Sequence, residues 1–482
     1  MADATGGAQP VRDKPRKQAV VLIHGIGEQR PMATLWQMVQ TVWINEPRDD
    51  GKARAVYSEP DEVSGIFELR RLSTNENTHG KRTDFFEYYW AHLMHGNRFG
   101  HVVAWLGRLA LRKRDQVPAS LLKPWRVLQA PLIVGGALLA MFLMTLLLAL
   151  FAPSWTAPAY AMGVFLAVLW VVILVAEKLF LTPVLGDAAR YLSREPGDIQ
   201  RRQDIRAKGL ALLDDLHKSG KYDRIILVGH SLGGLIGYDL LTHMWARRNR
   251  RMDRDGPIQR AIEEGERAAK ALLDAPSDET RAAWRKAQRR LFDALRDAPV
   301  GDGEPLWLIS DFVTLGAPLA HAQTLLAETL QEFEAALRRR ELATSPPHFE
   351  EFPGGRARFS YCRVHGQADD PDAGPRAPHN AAVFAAVCWT NIFFPAQGVL
   401  RGDLVGGSAA NVFGPGVKDI PARAPRFGGW LPHLQYFETE ADPRPWGDPT
   451  WVDHRAALRE GVALEDLEVC WPEATRAPGA RR

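Results

Sequence analysis

The residue best suited to chemistry is Ser231, at the centre of the segment Gly229-His230-Ser231-Leu232-Gly233. A β-branched run, Ile225–Val228, precedes it, and an apolar segment with helical spacing follows it. A serine at so sharp a strand-to-helix turn has a strained backbone, and small neighbours allow the close approach that the turn needs. The N–H groups at the start of the helix would face a developing oxyanion. The pattern therefore predicts that Ser231 is a nucleophile.

A serine hydroxyl is a poor nucleophile until an imidazole takes its proton and a carboxylate orients that imidazole. The chain has 14 histidines and 57 Asp and Glu residues, so composition alone cannot select the partners. The three cysteines, Cys362, Cys388 and Cys470, are far apart and lack metal-ligand spacing. The predicted chemistry needs neither a metal nor a cofactor.

Composition narrows the class of protein. The 482 residues can form one large domain or two ordinary ones. A formal net charge of +3 argues against a nucleic-acid-binding protein. The few, widely separated cysteines imply no disulfide framework, which favours a reducing compartment. Residues 1–18 are polar and charged, without the apolar core of a secretory signal, and are predicted to be a flexible lead.

Three short motifs carry a family resemblance: VLIHGIGEQ at 21–29, GHSLGG at 229–234 and FVTLGAP at 312–318. Together they resemble the α/β-hydrolase fold, and within it the lipase-like serine hydrolases. The resemblance implies an α/β fold, with a mostly parallel sheet and helices on both faces. It also implies an oxyanion hole formed by the backbone N–H groups of Leu232 and of Ile26 or Gly25. Ile26 interrupts the glycines of the family's HGGG loop. His24 is interpreted as a structural loop residue in preference to a base.

In this family the acid and the base follow the serine along the chain. His433 lies late in the sequence, in the loop segment GGWLPHLQYF, and resembles the family's histidine; His379 is the next candidate. Asp403, in RGDLVGG after the WTNIFF segment, resembles the family's acid. The rivals for the acid are Asp369, Asp370 and Asp372. Among the other histidines, His243 and His321 are set aside by their positions after the serine, and His454 is interpreted as a surface residue.

The elements that must position these residues are predicted from hydrophobic patterns. Strands are expected at 19–23, 85–90, 225–228, 307–315, 359–364 and 383–394, and helices at 35–42, 202–216 and 323–341. The polar stretch that ends at Arg82 is left unassigned.

An uncharged stretch between Arg126 and Glu177 interrupts this pattern. Residues 127–151 are long enough to cross a bilayer as a helix, which takes about 20 residues, and 159–181 form a second candidate span. Lys and Arg flank the pair on both outer sides, and none occurs between the spans. The positive-inside rule then places the rest of the chain in the cytoplasm. The alternative is a buried helical hairpin of a soluble domain.

The predicted hairpin, residues 127–181, divides one hydrolase domain into residues 19–126 and 182–482. A charged helical insertion is expected at about 246–300, either as a solvated hairpin or as a lid over the site. The high Ala and Arg content indicates a bacterial source, so the predicted location is the inner membrane.

These observations predict a membrane-anchored serine hydrolase that cleaves carboxylic esters, with a lipid or acyl ester as substrate. The same residues could catalyse acyl transfer, thioester hydrolysis or amide cleavage. The alternative outside the enzymes is a non-catalytic membrane scaffold that retains the fold.

Overall fold

The computed structural model describes most of the chain. The described residues are 17–26, 30–46, 51, 53–77, 80–94, 111–114, 117, 122–176, 191–192, 196–249, 256–300, 304–352, 356–362, 375–397, 401–425, 432–439 and 447–465. Of the predicted N-terminal lead, residues 1–16 lie outside these ranges.

A nine-stranded sheet forms the centre of the protein. In chain order its strands are β1 (Lys17–Ile23), β2 (Val56–Pro60), β3 (Arg70–Thr74), β4 (Arg82–Tyr88), β5 (Arg224–His230), β6 (Ile309–Leu315), β7 (Cys388–Phe393), β8 (Lys418–Arg423) and β9 (Val452–Asp453). Their order across the sheet is β9-β8-β7-β6-β5-β1-β4-β3-β2. All neighbours pair in parallel except β2 with β3 and β3 with β4. The predicted α/β class with a mostly parallel sheet is confirmed.

The central strands are apolar on both faces because helices cover both faces. In β1, Val21 and Ile23 belong to one hydrophobic core, and Val20 and Leu22 belong to the other. Successive side chains of a strand point to opposite faces, so a continuous apolar run supplies both cores. Strands β2, β3 and β4 lie on one side of β1 in the sheet, and the chain then crosses to the other side of β1 to form β5. Ligands bind at such a reversal, beyond the carboxyl ends of the strands.

Helices occur on both faces and in the segments between strands. Their bounds are α1 (Ala33–Val39, continued by a π-helical turn at Gln40–Ile44), α2 (Leu122–Phe151), α3 (Thr156–Ala176), α4 (Pro196–Lys218), α5 (Leu232–Arg248), α6 (Pro257–Asp274), α7 (Asp278–Arg296), α8 (Ala322–Leu325), α9 (Leu330–Arg338), α10 (Ala410–Phe413) and α11 (His454–Val462). α1 and α11 pack on one face of the sheet, and α4, α5, α6 and α7 contribute to the core of the other.

Several local predictions differ from the structure. The helix expected at 323–341 is two helices, α8 and α9, and the strand expected from 383 begins only at Cys388, after a 3-10 turn at Val383–Ala385. The unassigned stretch before Arg82 contains β2 and β3, an antiparallel hairpin at the edge of the sheet. The strand expected at 359–364 is Ser360–Cys362, in a small ladder with Arg376–Pro378. Two further ladders pair Glu350–Phe352 with Arg356–Arg358 and Pro299–Val300 with Glu304–Pro305.

The charged segment at 246–300 contains α6 and α7; α7 packs against the sheet, and α6 packs against α7. Trp284 and Leu291 of α7 are fully buried. Arg289 lies 3.4 Å from Asp311, and Asp311 forms an ion pair with Arg224, the first residue of β5. These contacts place α7 over the amino ends of the strands, whereas Ser231 follows the carboxyl end of β5.

The apolar stretch forms α2 and α3, joined by a 3-10 turn at Pro153–Trp155. Within the described residues, one helical segment, Ile133–Phe151, is long and apolar enough to cross a membrane. The apolar segment in the second helix, Pro153–Leu169, is shorter, and residues 177–181 of the second predicted span lie outside the described ranges. Two membrane spans therefore remain a prediction.

Candidate active site

Ser231 sits between the last residue of β5 and the first residue of α5, as the sequence predicts. Its backbone has φ 53° and ψ −127°, a strained region for a residue with a side chain. The N–H of Ser231 donates to the carbonyl of Leu315 at the end of β6 (2.9 Å), and its carbonyl accepts from the N–H of Gly234 (2.9 Å). The turn is thus held from both sides, and strain of this kind persists only where the surroundings enforce it.

The glycines around Ser231 are required by close backbone contacts. A Cβ at Gly229 would lie 2.6 Å from the carbonyl oxygen of Gly233. A Cβ at Gly233 would overlap the carbonyl oxygen of Ile23, the last residue of β1. The start of α5 therefore lies directly against the end of β1, which brings Ser231 beside the loop that follows β1.

His433 joins Ser231 to Asp403. Its Nε2 lies 2.9 Å from the Oγ of Ser231, and its Nδ1 lies 2.9 Å from Oδ2 of Asp403. His433 is in the 3-10 turn Pro432–Leu434, and Asp403 follows β7, where its N–H donates to the carbonyl of Phe394 (3.0 Å). The three residues predicted from the sequence are brought together in one hydrogen-bonded chain.

Asp403 is held as a carboxylate by its hydrogen bonds. Burial favours the protonated acid, but the charge and hydrogen bond of His433, with the hydroxyl of Tyr436 and the N–H of Val405, bring the pKa of Asp403 below its ordinary value. The Tyr436 hydroxyl donates to Oδ2 and the Val405 N–H donates to Oδ1, each at 2.8 Å. A carboxylate at Nδ1 fixes the tautomer in which Nε2 can accept the serine proton.

Two supporting residues were not assigned a role from the sequence. Tyr436 lies three residues after His433, and its hydroxyl orients Asp403. His230, next to the serine, donates through Nε2 to the backbone carbonyl of His433 (3.0 Å). Burial, with the charge of His433 as a smaller factor, lowers the pKa of His230 to about 3, so its ring is neutral at physiological pH. A histidine immediately before the serine is the sequence signal that could have suggested this contact.

The predicted oxyanion donors lie around the serine. Leu232 is the first residue of α5 and is buried. A Cβ at Gly25 would lie 3.0 Å from both the Cβ of Ser231 and the Nδ1 of His230, so this loop passes directly beside Ser231. Ile26, the last described residue of the loop, is half-buried, and residues 27–29 lie outside the described ranges. The backbone of the loop and the start of α5 thus flank one side of Ser231.

His24 is engaged away from the serine. Its Nδ1 donates to the carbonyl of Gly25 (2.7 Å), and its Nε2 accepts from the N–H of Trp90 (3.3 Å). Its ring stacks on the Trp90 indole, and burial lowers its pKa to about 4. A neutral ring with both nitrogens bonded has a structural role, holding the loop after β1 against the end of β4.

The rival base, His379, is not part of this chain of hydrogen bonds. His379 is buried, and its ring nitrogens contact the carbonyl of His348 and the N–H of Ala381. The prediction that His454 is a surface residue is wrong, because it is 2% exposed and bonds the carbonyl of Glu438. The rival acids lie outside the described residues; they are Asp369, Asp370 and Asp372. Among the described residues, no group of three or more His, Cys, Asp or Glu side chains could hold a metal.

A buried carboxyl, Glu87, lies near the end of β4. Its Oε2 accepts from the N–H of Met32 before α1 (2.5 Å), while Oε1 is buried without a hydrogen-bond partner among the described residues. Burial raises its pKa to about 7, and the Met32 bond opposes this only in part. Charging this group in the folded protein is therefore unfavourable.

Glu87→Gln is expected to make stability less dependent on pH. The folded pKa of about 7 lies above the usual 4.5, so wild-type unfolding free energy falls as pH rises from about 4.5 and levels off above about 7. The full loss is about 3 kcal/mol, since one pKa unit is worth about 1.4 kcal/mol. Urea unfolding at pH 5 and pH 8 measures the difference, with the exposed Glu68→Gln as control. An equal pH slope in wild type and Glu87→Gln contradicts the assignment.

Comparison of the chain with family models, with curated proteins and with solved structures gives no match.

Proposed function

We propose that this protein is a serine hydrolase of the α/β-hydrolase fold that cleaves carboxylic esters through Ser231, His433 and Asp403. The observation that carries the proposal is the hydrogen-bonded chain from Asp403 through His433 to a serine at a strained strand-to-helix turn. The position of β5 at the centre of a mostly parallel sheet supports it, as does the location of all three residues in segments that follow strands.

In the proposed reaction the Oγ of Ser231 attacks the ester carbonyl while Nε2 of His433 takes the hydroxyl proton. The Asp403 carboxylate stabilises the resulting imidazolium. The backbone N–H groups of Leu232 and of Ile26 or Gly25 stabilise the tetrahedral oxyanion, a term usually worth several kcal/mol. His433 then protonates the departing alcohol, which leaves an acyl group on Ser231. In the second half, His433 deprotonates a water that attacks this acyl group, and the acid is released.

The proposal includes a membrane anchor. Ile133–Phe151 is apolar, and none of it is buried within the protein, whereas the apolar helix of a soluble core is mostly buried. Its placement in the chain supports an anchor inserted into one domain, since it lies between β4 and β5 of the same sheet. By the positive-inside rule the catalytic part is cytoplasmic, at a bacterial inner membrane. A lipid or acyl ester is the substrate class that this location favours.

The test is active-site labelling of the detergent-solubilised full chain with a fluorophosphonate probe. We expect wild type to be labelled and Ser231→Ala not to be labelled. The exposed Ser277→Ala on the α6–α7 turn is a matched control and should be labelled like wild type. Absence of labelling in correctly folded wild type contradicts the hydrolase proposal and favours a non-catalytic membrane scaffold that retains the fold. A labelled enzyme that transfers the acyl group to an added alcohol faster than to water is an acyltransferase.

A further inference from the structure

The chain that leads into the apolar hairpin contacts loops at the carboxyl edge of the sheet. Arg112 donates through Nη2 to the carbonyl of Ala327 at 3.1 Å. Ala327 lies in the segment that leaves the carboxyl end of β6. In the same segment, His321 bonds through Nε2 to the carbonyl of Leu404 (2.9 Å), next to Asp403. The residues before α2 therefore contact the same group of loops that holds the catalytic acid.

The chain that leaves the hairpin returns to the same half of the molecule. Tyr191 is buried, and its hydroxyl donates to Asp239 of α5 at 2.6 Å. Nearby, α4 begins at Pro196 and runs toward the amino edge, because it connects to the start of β5. The carbonyl of Ile205 accepts from the hydroxyl of Tyr88, the last residue of β4 (2.5 Å). The turns of α4 before Ile205, which extend about 13 Å, thus lie toward the carboxyl edge.

Exposed leucines lie beside the triad on this edge. Leu434 is 75% exposed and follows His433, and Leu404 is 39% exposed and follows Asp403. Leu330, three residues after Ala327, is 40% exposed. Single exposed leucines are ordinary, but Leu404 and Leu434 adjoin the triad, and Leu330 adjoins the segment that Arg112 contacts. Apolar side chains so placed are stabilised by transfer out of water into a bilayer surface.

We propose that the carboxyl edge of the sheet faces the bilayer that holds the hairpin, and that the substrate is an amphiphilic ester resident in the adjoining leaflet. This inference rests on the proposed hydrolase function and narrows its substrate to an ester that is held in the membrane. The chain on either side of the hairpin contacts this half of the molecule, through Arg112 before it and Tyr191 after it. Ser231 and His433 therefore stand toward the lipid headgroups. An ester reaches the site by lateral diffusion in the leaflet, and the products are a carboxylic acid and the alcohol part of the amphiphile.

The orientation is tested without reference to activity. The full chain is reconstituted in vesicles of phosphatidylcholine and phosphatidylglycerol, with Leu434→Cys or Leu330→Cys carrying a thiol-linked fluorophore. Leu273→Cys on α6 is the matched control, since Leu273 is exposed at 45% on a helix that packs away from this edge. Label on the unsubstituted chain is subtracted as background. Nitroxide lipids should quench the first two positions at least about threefold more than the control; equal quenching at all three overturns the orientation.

The substrate class is tested by comparing two esters in the same vesicles: a water-soluble p-nitrophenyl ester and a fluorogenic long-chain ester embedded in the bilayer. We expect the double variant Leu330→Ser, Leu434→Ser to lower the ratio of embedded to soluble turnover about tenfold, whereas Leu273→Ser leaves that ratio unchanged. An unchanged ratio in the double variant overturns the substrate class. If wild type cleaves neither ester, the hydrolase proposal fails, and the quenching result still decides the orientation.

Discussion

Alanine at Ser231, at His433 or at both positions is expected to lower kcat for a soluble ester to the same residual level. The fall should be about 10⁴- to 10⁶-fold, because the nucleophile and its base act as one unit and losing either removes the same step. Their separation of 2.9 Å is within direct proton-transfer distance. Asp403→Asn should lower kcat about 10⁴-fold, since an amide cannot hold the imidazole tautomer as the carboxylate does.

The measurement is steady-state hydrolysis of a p-nitrophenyl ester by the full chain in detergent, with active sites counted by fluorophosphonate labelling of wild type. His243→Ala is the matched control because His243 is exposed on α5 and makes no contact with the triad. If the losses of the two single variants multiply in the double variant, Ser231 and His433 do not work as a unit. If His433→Ala keeps more than about a tenth of wild-type kcat, the base has been misassigned.

Gly233→Ala is expected to be the most damaging single-methyl change at the site. The added Cβ would overlap the carbonyl oxygen of Ile23 and lie 2.5 Å from that of His24. Both neighbours are backbone, so no side-chain rotation relieves the contact, and Ile23 ends β1, which pairs with both β4 and β5. We expect a loss of about 4 kcal/mol or more in unfolding free energy, with displacement of Ser231 from His433.

The matched control is Gly197→Ala in the first turn of α4, where an added Cβ meets nothing within 4 Å. Alanine there should leave stability unchanged or raise it by up to about 1 kcal/mol. The two variants are compared by thermal unfolding of the full chain in one detergent and by fluorophosphonate labelling. If Gly233→Ala unfolds within about 2 °C of wild type and labels at the same rate, the close contact of α5 with β1 is not required.

Local patterns in the sequence were enough to place the central strands and the serine. The runs at 19–23 and 225–228 are apolar at every position, as expected for a strand that is covered on both faces. The strands β1 and β5 form there. The edge hairpin β2–β3 escaped prediction because its exposed strand carries alternating and charged residues that resemble a polar loop. His454 was misread for the opposite reason. It begins a charged helix, yet its own ring faces the core and bonds the carbonyl of Glu438.

The sequence by itself determined the strand-to-helix turn that carries Ser231, because strand, glycines and helix are consecutive and their geometry is local. Only the tertiary structure could join Ser231 to His433 and Asp403. His433 lies 202 positions after Ser231 and 30 positions after Asp403, and no local pattern reports a distance between loops. The support from Tyr436 and His230 was likewise decided by packing across the sheet.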